Sequence, residues 1–369
     1  MIAARAETGR LGRLRALLES EQLDAILVSR NAAKRYLSGF VIARGDEATS
    51  GYSGTLLVTR ERQLLLADAR YLEQAGDEAQ GWEVMRTTRP LAAELAALVP
   101  SLRLRRIGAE ANVLSHADWM AIGSAAPDLE LVPLDAPLAE LRAIKDEVEL
   151  TALEATTALT DACFGHLLTF IREGISEQEI AWELEDWFRR HGAEDLAFEP
   201  IVLVGARAAM PHGRPGTTPV RGGEPVLIDF GSQVDGYRSD MTRTVFIGEP
   251  SQQQRELYAL VLAAQQAAYD AVQPGVSGTS VDGAAREVIA AAGLAEAFSH
   301  GLGHGIGLET HEAPGLKLYA RPLRPGMVFT LEPGIYLPGE IGIRIEDDVV
   351  LTEDGPRWLT NAPRELLVI

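Results

Sequence analysis

The sequence predicts an α+β protein with two domains, of which the second is larger and consists of two similar halves. Three observations lead to this prediction. Short apolar runs alternate with amphipathic stretches in the first third of the chain, prolines then punctuate the sequence, and the remainder repeats itself after roughly one hundred residues. A chain of 369 residues is long enough to bury two hydrophobic cores.

The first third of the chain has the pattern of a small α/β domain. Apolar runs predict strands at 25–28, 55–59 and 64–67, and helical spacing predicts helices at 11–21, 91–99 and 114–123. Proline disfavours helix for itself and for the residue before it, so Pro133 and Pro137 mark a boundary. We therefore place the two domains at 1–135 and 136–369.

The second domain begins with a helix and then repeats its own pattern. Apolar residues recur at three- or four-residue intervals from Val148 to Phe170. The segment Gly174-Ile-Ser176 reappears as Gly275-Val-Ser277, and Ser176 with Glu179 has the pattern of a capping box. Chance similarity between two helical units is the alternative, but it does not explain the matching acids described next. We expect two similar halves that face each other.

Two predicted hairpins carry acids inside apolar strands. The first contains Asp229 and Asp240, and its turn at Asp235-Gly236 would make the two acids neighbours on one face. The second contains Glu332 and Glu346, which an odd-length loop around Pro338-Gly339 would also place together. In each hairpin glycine follows the first acid by two residues, and arginine precedes the second acid by two, as Arg238 and Arg344.

These four acids predict a metal centre. Carboxylates among Val, Leu, Ile and Phe are costly to bury, and mutual repulsion would force some of them to bind protons unless cations are present. Two divalent ions would cancel four negative charges. Buried salt bridges to Arg238 and Arg344 could explain single acids, but not all four together. Oxygen-rich ligands with one imidazole favour Mn, Co or Zn over a thiolate site.

Three of the seven histidines lie in one glycine-rich run, as His300, His304 and His311. Its glycines allow close backbone approach, so the run can bring neutral imidazoles to the acids. His212 lies on a Pro/Gly loop before the first hairpin, where it either faces the same pocket or is an exposed turn residue. The other histidines are interpreted as ordinary surface or core residues: His116, His166 and His191.

Composition excludes several classes of partner. A net charge of −19 and a pI near 4.8 argue against binding to nucleic acid or to anionic membranes. Cys163 is the only cysteine, so no intrachain disulfide can form. The sequence shows neither a signal-peptide pattern nor an apolar stretch long enough to span a membrane. We expect a cytoplasmic protein.

Together these residues resemble the pita-bread metallopeptidases, which include aminopeptidase P, prolidase and methionine aminopeptidase. The resemblance is strong over roughly residues 140–369, where it implies a pita-bread catalytic domain. Residues 1–135, including Asn31 to Phe40, resemble the creatinase/prolidase N-terminal domain of the aminopeptidase P and prolidase branch. By this resemblance the ligands of two divalent metal ions are Asp229, Asp240, His304, Glu332 and Glu346.

The resemblance implies a proline-specific metallopeptidase that hydrolyses the Xaa-Pro imide bond. Substrates would be peptides with proline second from the N-terminus, and the enzyme would be a homodimer. Glu332 would take up the proton of the attacking water, and His212 and His311 would donate hydrogen bonds to the scissile carbonyl. His300 would line the pocket for proline, and Arg344 would support the ligands.

The residues indicate the family more sharply than they indicate which member of it this chain is. Creatinase and non-catalytic pita-bread binding modules lack the metal ligands, whereas all five are present here. Many prolidases carry arginine after a Pro-Gly-Leu segment, and this chain has Lys317 there. However, Arg44 on the loop 41–51 could close over a dipeptide, although it could equally be a surface residue. We favour an Xaa-Pro dipeptidase, with an Xaa-Pro aminopeptidase acting on longer peptides as the alternative.

Overall fold

The structure, a computed structural model, describes residues 2–43, 45 and 51–369. The chain divides into two compact units, Met1–Arg142 and Ala143–Ile369. The domain boundary predicted near residue 135 lies at the start of the last helix of the first unit, Asp135–Ala143. Among the described residues, no helix has the length and apolar character needed to cross a membrane.

The first unit contains one six-stranded mixed sheet and six helices within its described residues. The strands, in sheet order β4-β3-β2-β1-β5-β6, are β1 (Ala25–Val28), β2 (Thr55–Thr59), β3 (Gln63–Ala67), β4 (Glu83–Arg86), β5 (Arg106–Ala109) and β6 (Glu130–Pro133). The helices are α1 (Ile2–Ser20), α2 (Asn31–Ser38), α3 (Leu72–Glu78), α4 (Leu91–Leu102), α5 (His116–Ala125) and α6 (Asp135–Ala143).

The predicted α/β pattern of the first unit is confirmed. The three predicted strands and three predicted helices correspond to β1, β2 and β3 and to α1, α4 and α5. Leu27 and Leu57 pack with Leu95 of α4 and Ile122 of α5 in one buried core. Strand β1 is buried along its whole length because it lies inside the sheet, antiparallel to β2 and parallel to β5.

The second unit contains four long helices and several short sheets within its described residues. Its helices are α7 (Glu147–Phe170), α8 (Glu177–Arg190), α9 (Gln252–Ala271) and α10 (Gly278–Ala291). The strands are β7 (Asp195–Leu196), β8 (Ile201–Val204), β9 (Pro225–Phe230), β10 (Ser232–Val234), β11 (Tyr237–Arg238), β12 (Met241–Phe246), β13 (Val328–Leu331), β14 (Gly334–Leu337), β15 (Ile341–Arg344), β16 (Asp347–Thr352), β17 (Gly355–Trp358) and β18 (Leu367–Val368).

The internal repeat predicted from the sequence is present in the backbone. Gly174 and Gly275 have nearly the same positive φ, 92° and 91°, before α8 and α10. Ser176 caps α8 through the predicted capping box with Glu179. Ser176 forms an isolated bridge with Pro219, and Ser277 forms the matching bridge with Pro322. Each half is therefore a helix pair followed by strands.

Each half has its own buried core between its helices and its sheet. In the first half, α7 and α8 cover one face of β8, β9 and β12, and this core includes the buried Cys163. In the second half, α9 and α10 cover one face of β13 and β16. The two sheets meet where Glu346 N donates to Thr242 O at 3.1 Å. The faces turned away from the helices therefore lie side by side.

Candidate metal centre

The first hairpin has the predicted register. Thr242 of β12 lies opposite Asp229 of β9, so Asp240 is a diagonal neighbour of Asp229 on the same face. The turn at its far end contains Asp235 and Gly236 with φ of 49° and 78°, as a two-residue hairpin turn requires. Alternation along β9 sends Ile228 and Phe230 toward the helices, which leaves Asp229 on the opposite face.

The second hairpin brings its two acids directly opposite each other. Gly334 pairs with Arg344, and Leu331 pairs with Asp347 in the same register on the other side of Glu332. Residues 338–340 form the odd-length loop, in which Gly339 has a φ of 79°. This register, continued across the break between β13 and β14, places Glu332 across from Glu346.

Five acidic and imidazole groups converge in one cavity of about 730 Å³. Asp240, His304 and Glu346 each offer one possible metal-ligand atom, and these three atoms lie within 4.8 Å of one another. His304 Nε2 is 3.4 Å from Glu332 Oε1 and 3.7 Å from Asp240 Oδ2. The cavity wall includes all nine residues predicted for the site within this unit: His212, Asp229, Asp240, His300, His304, His311, Glu332, Arg344 and Glu346.

The acids are held in an environment that disfavours their charged forms. Burial, followed by the negative charges of neighbouring acids, raises the pKa of Asp240 and of Glu346 well above the ordinary range. Burial also raises the pKa of Glu332, whose side chain keeps 15% of its surface exposed, to about 8. The pKa of Asp229 is likewise raised by burial, although the Arg344 charge opposes the effect.

The histidines of the glycine-rich run are held neutral. Burial, with the neighbouring His311, lowers the pKa of His304 to about 3, and burial with the Arg344 charge lowers the pKa of His300 to about 4. His304 Nδ1 lies 3.2 Å from Gly305 O. If Nδ1 carries the proton and donates it to this carbonyl, Nε2 presents a lone pair to the acids, which is the arrangement of a metal-bound imidazole.

These residues fit a divalent metal site. Asp229 Oδ1 and Asp240 Oδ1 are buried and, within the described part of the chain, accept no hydrogen bond. A buried carboxylate oxygen without a partner is costly and requires a ligand or a proton. Carboxylate oxygens with one neutral imidazole suit divalent ions such as Mn, Co or Zn.

Arg344 contacts the clustered acids directly. Its guanidinium forms a buried ion pair with Asp229, and its Nη1 and Nε donate to Tyr336 Oη and Thr242 Oγ1, each at 2.9 Å. Thr242 Oγ1 in turn donates to Glu346. Arg238, the matching arginine of the first hairpin, instead donates a hydrogen bond from Nη1 to Ala197 O at 2.9 Å.

Four further residues that contact the acids or Arg344 were not predicted from the sequence. Thr242 and Tyr336 contact Arg344, Thr330 Oγ1 donates to Glu332 Oε1 at 3.1 Å, and Asp348 Oδ2 accepts the Asp240 N–H at 3.0 Å. Strand alternation could have found them, since each lies two or four residues from a predicted ligand on the same face.

The remaining predicted residues differ in how the structure places them. His300 Nε2 lies 2.9 Å from Tyr336 Oη, and the His311 ring lies 3.9 Å from that of His304. His212 is exposed at the cavity edge, so it is both an exposed turn residue and part of the cavity wall. Arg44 lies outside the described residues. Lys317 is exposed, with its side chain against Gly301.

The fold and the site define a two-unit metallopeptidase-like protein whose second unit is a duplicated helix-and-sheet module around clustered acids. Comparison with family models agrees. Residues 151–353 match metallopeptidase family M24, and residues 10–144 match the creatinase/prolidase N-terminal domain. The chain belongs to metallopeptidase family M24.

Several full-length relatives share this architecture. The uncharacterized peptidase YqhT of Bacillus subtilis is 38% identical over 98% of this chain and 100% of its own length. An Xaa-Pro dipeptidase from Bacillus anthracis has a TM-score of 0.92 and 37% identity, covering 98% of this chain and 100% of that chain. An X-Pro aminopeptidase from Thermotoga maritima MSB8 has a TM-score of 0.86 and 37% identity, with the same coverage.

Proposed function

We propose that this protein is a dinuclear metal-dependent peptidase that hydrolyses the Xaa-Pro imide bond, most readily in dipeptides. The observation that carries the proposal is the convergence of four carboxyl groups and one neutral imidazole in a single cavity. The similarity to an Xaa-Pro dipeptidase over nearly the whole chain supports the choice of substrate.

The proposed metal ligands are the five groups predicted from the sequence: Asp229, Asp240, His304, Glu332 and Glu346. Two bound divalent ions, with Mn, Co and Zn as the candidates, would lower the pKa of water and so supply a nucleophile near neutral pH. The unpartnered oxygens of Asp229 and Asp240 support this assignment, because ligation would satisfy them.

Side chains of the cavity would carry out proton transfer and stabilise the scissile carbonyl. Glu332 would accept the proton of the attacking water, because its carboxyl group is at the cavity wall beside the other acids. His311 and His212 lie on two different loops and would donate hydrogen bonds to the scissile carbonyl oxygen as it gains charge. Each such donor contributes roughly 2.7–4 kcal/mol in other enzymes.

The proline side of the bond requires shape more than hydrogen bonding. The nitrogen of an Xaa-Pro bond carries no hydrogen, so the enzyme cannot recognise it through a donor. His300 is fixed by its contacts with Tyr336 Oη and with Gly301 O at 2.8 Å. We propose that this fixed, neutral ring forms the wall against which the pyrrolidine ring packs.

A proline-specific aminopeptidase acting on longer peptides is the second candidate. The X-Pro aminopeptidase from Thermotoga maritima favours it, since it is as similar in sequence as the dipeptidase. Arg44 remains the predicted partner for the free carboxylate of a dipeptide. If it has this role, Arg44→Ala will impair cleavage of Xaa-Pro far more than cleavage of Xaa-Pro-Yaa, and equal effects would remove this reason for preferring a dipeptidase.

A time course with Ala-Pro, Ala-Ala and Ala-Pro-Phe tests the proposal, with Mn, Co and Zn supplied separately. We expect metal-dependent cleavage of Ala-Pro, no comparable cleavage of Ala-Ala, and two divalent ions per chain by elemental analysis. Full activity after exhaustive chelation would refute the metal role. A protein that binds no stoichiometric metal and cleaves none of these peptides would be a non-catalytic binding module.

We further propose that the enzyme is a cytoplasmic homodimer. The single, buried cysteine supports the location, because proteins of oxidising compartments commonly contain disulfides. The family resemblance supports the dimer. Light scattering of the purified protein would measure the oligomeric state, and fractionation of the source cells would test the location.

A further inference from the structure

His311 lies on the cavity wall without a hydrogen bond that fixes its ring. His300 is held by Tyr336 Oη and Gly301 O, whereas the His311 ring forms no hydrogen bond within the described part of the chain. The residue is exposed, and its ring packs on that of His304. A donor to a scissile carbonyl must be held within about 0.5 Å of its productive position. The backbone on either side of His311 must therefore supply that position.

The residue after His311 belongs to a buried ion pair. Lys145 Nζ lies 2.8 Å from Glu312 Oε1, and their side chains are 0% and 3% exposed. The two residues are 167 positions apart in the sequence, and both belong to the second unit. The Glu312 N–H also donates to Gly305 O at 2.9 Å, which closes the short loop between His304 and His311. The ion pair therefore anchors the end of the loop that carries His311.

Lys145 is itself fixed at the start of β13. Its N–H donates to Gly326 O at 2.8 Å, and the neighbouring Ile144 forms an antiparallel bridge with Met327. Asp146, the next residue, begins α7 with a capping box. The lysine side chain thus extends from a segment bound to both a strand and a helix, and it can hold a loop in one place.

The residue before His311 is held as well. Arg238 Nη1 donates to Thr310 Oγ1 at 3.1 Å, and Thr310 Oγ1 donates to Ala197 O at 3.0 Å. Arg238 and Ala197 belong to the first half of the second unit. His311 therefore lies between two neighbours whose side chains are both bound. Loss of one anchor leaves the other in place, so it should displace the ring without unfolding the loop.

Stability alone does not account for a buried ion pair at this place. Taking two charges out of water is costly, and an apolar pair of similar volume is often as stable. An ion pair with a hydrogen bond differs from an apolar contact in fixing the distance and direction of its partners. Glu312 and His311 both line the cavity, so this precision is supplied where the geometry of a hydrogen-bond donor matters.

We propose that Lys145 and Glu312 are positioning residues for His311, and that their ion pair holds the imidazole where it donates to the scissile carbonyl oxygen. This inference rests on the proposed Xaa-Pro hydrolysis and adds to it two residues that act through His311. Neither residue contacts the substrate in this arrangement.

The first test measures kcat and KM for Ala-Pro with the metal-loaded, full-length enzyme. Lys145→Met and Glu312→Gln should each lower kcat about 10- to 100-fold, the effect of a displaced catalytic group, and leave KM within about twofold. Metal content should stay at the wild-type value. Glu94→Gln is the matched control and should keep wild-type kcat, because its side chain is 5% exposed and pairs with Arg89 at 2.9 Å in the other unit. A raised KM for Glu312→Gln alone would mean that Glu312 binds the substrate itself, and would overturn the inference.

Combination with His311→Ala decides whether the pair acts through this histidine. Adding Lys145→Met to His311→Ala should lower kcat less than about threefold further, since the group that it positions is gone. An undiminished loss in this background would overturn the inference. The double variant Lys145→Met/Glu312→Gln leaves no unpaired buried charge and so protects the test against misfolding. Its kcat should be as low as that of the single variants, and a return to wild-type kcat would also contradict a positioning role.

Hydrogen exchange tests the anchoring without a substrate. Lys145→Met should speed exchange of the amides in segment 305–312 at least about tenfold, because the loop loses one anchor, whereas Glu94→Gln should leave them unchanged. Unchanged exchange in Lys145→Met would overturn the inference while the proposed hydrolysis stands. Wild-type enzyme that cleaves Ala-Pro with none of the three metals would instead refute the proposed function, and exchange would still show whether Lys145 holds the loop.

Discussion

The two halves of the second unit place different side chains on matching backbone positions. In the first half, Leu203 of β8 pairs with Leu227 of β9, and both are fully buried. In the second half, the matching position is His304, whose carbonyl accepts the Thr330 N–H at 2.8 Å. The first half therefore fills this position with a buried leucine, and the second half places there the imidazole that we propose as a metal ligand. The duplicated backbone permits a site in both halves, and the side chains decide which half supplies the nitrogen.

The halves also support each other's acids at equivalent positions. Thr242, two residues after Asp240, donates its hydroxyl hydrogen to Glu346. Asp348, two residues after Glu346, accepts the backbone N–H of Asp240. Each half thus orients an acid of the other, the first through a side-chain donor and the second through a side-chain acceptor. The cavity depends on both halves being folded together.

Replacing His304 by leucine makes the second half resemble the first and should have the largest effect. We expect His304→Leu to lower kcat/KM for Ala-Pro by at least about 10³-fold, more than the loss of a single hydrogen-bond donor at an active site. The reason is the loss of the one imidazole in the cluster, and elemental analysis should show less bound metal. Steady-state kinetics and metal content measure both effects.

Leu203→Met at the matching position of the first half is the control for this variant. A volume-conserving exchange in a core usually costs less than about 1.5 kcal/mol, so this protein should fold and retain activity. If His304→Leu keeps activity within tenfold of the wild type, His304 is not a metal ligand.

Removing the acceptor that holds Asp240 should have the next largest effect. Asp348→Ala leaves the Asp240 N–H without its partner, and we expect activity or metal affinity to fall about 10- to 100-fold, as for other residues that orient metal ligands. Asp348→Asn keeps an acceptor oxygen and should recover most of the loss. A metal titration monitored by activity measures the affinity. Equal losses in both variants would contradict an orienting role.

The reciprocal contact from the first half should matter less. Thr242→Val preserves the shape of the side chain but removes the hydroxyl that bonds to Glu346 and Arg344. We expect a loss of about tenfold in metal affinity, the low end for such contacts. Thr244→Val is a matched control, since its hydroxyl bonds to backbone atoms of Arg344 instead of to a predicted ligand. Similar losses in the two variants would indicate a general effect on packing.

The last prediction concerns the stability of the metal-free protein between pH 6.5 and 8, and not its activity. The pKa of Glu332 is raised to about 8 in the folded state, so the folded state binds its proton more tightly than the unfolded state does. Stability is therefore lost as the pH rises through this window, by up to about 1.4 kcal/mol per pH unit for one proton. His300 and His304 contribute the opposite slope only below their ordinary pKa near 6.5, because burial lowers theirs.

Thermal melting in excess chelator at pH 6.5 and at pH 8 measures this slope. The melting temperature of the metal-free protein should fall at the higher pH, and Glu332→Gln should flatten the change. The metal-loaded protein should not show the same fall, because bound cations compensate the charges. A melting temperature that rises with pH in the chelated wild type would contradict the assignment.

The sequence predicted the acids and their registers because charge inside an apolar strand is conspicuous and strand alternation fixes the face. Thr242 and Tyr336 are neutral and ordinary in strands, so nothing in their identity set them apart. Asp348 follows two other acids, and the sequence alone did not show that its side chain reaches the backbone of the other half.

The buried Cys163 has a practical consequence for measuring how this protein moves. Burial raises the pKa of its thiol, so it will resist thiol-directed dyes in the folded protein. A cysteine introduced at any exposed position would then be the one reactive thiol of the native chain. Fluorophores or spin labels could be attached to chosen sites without first removing a native cysteine.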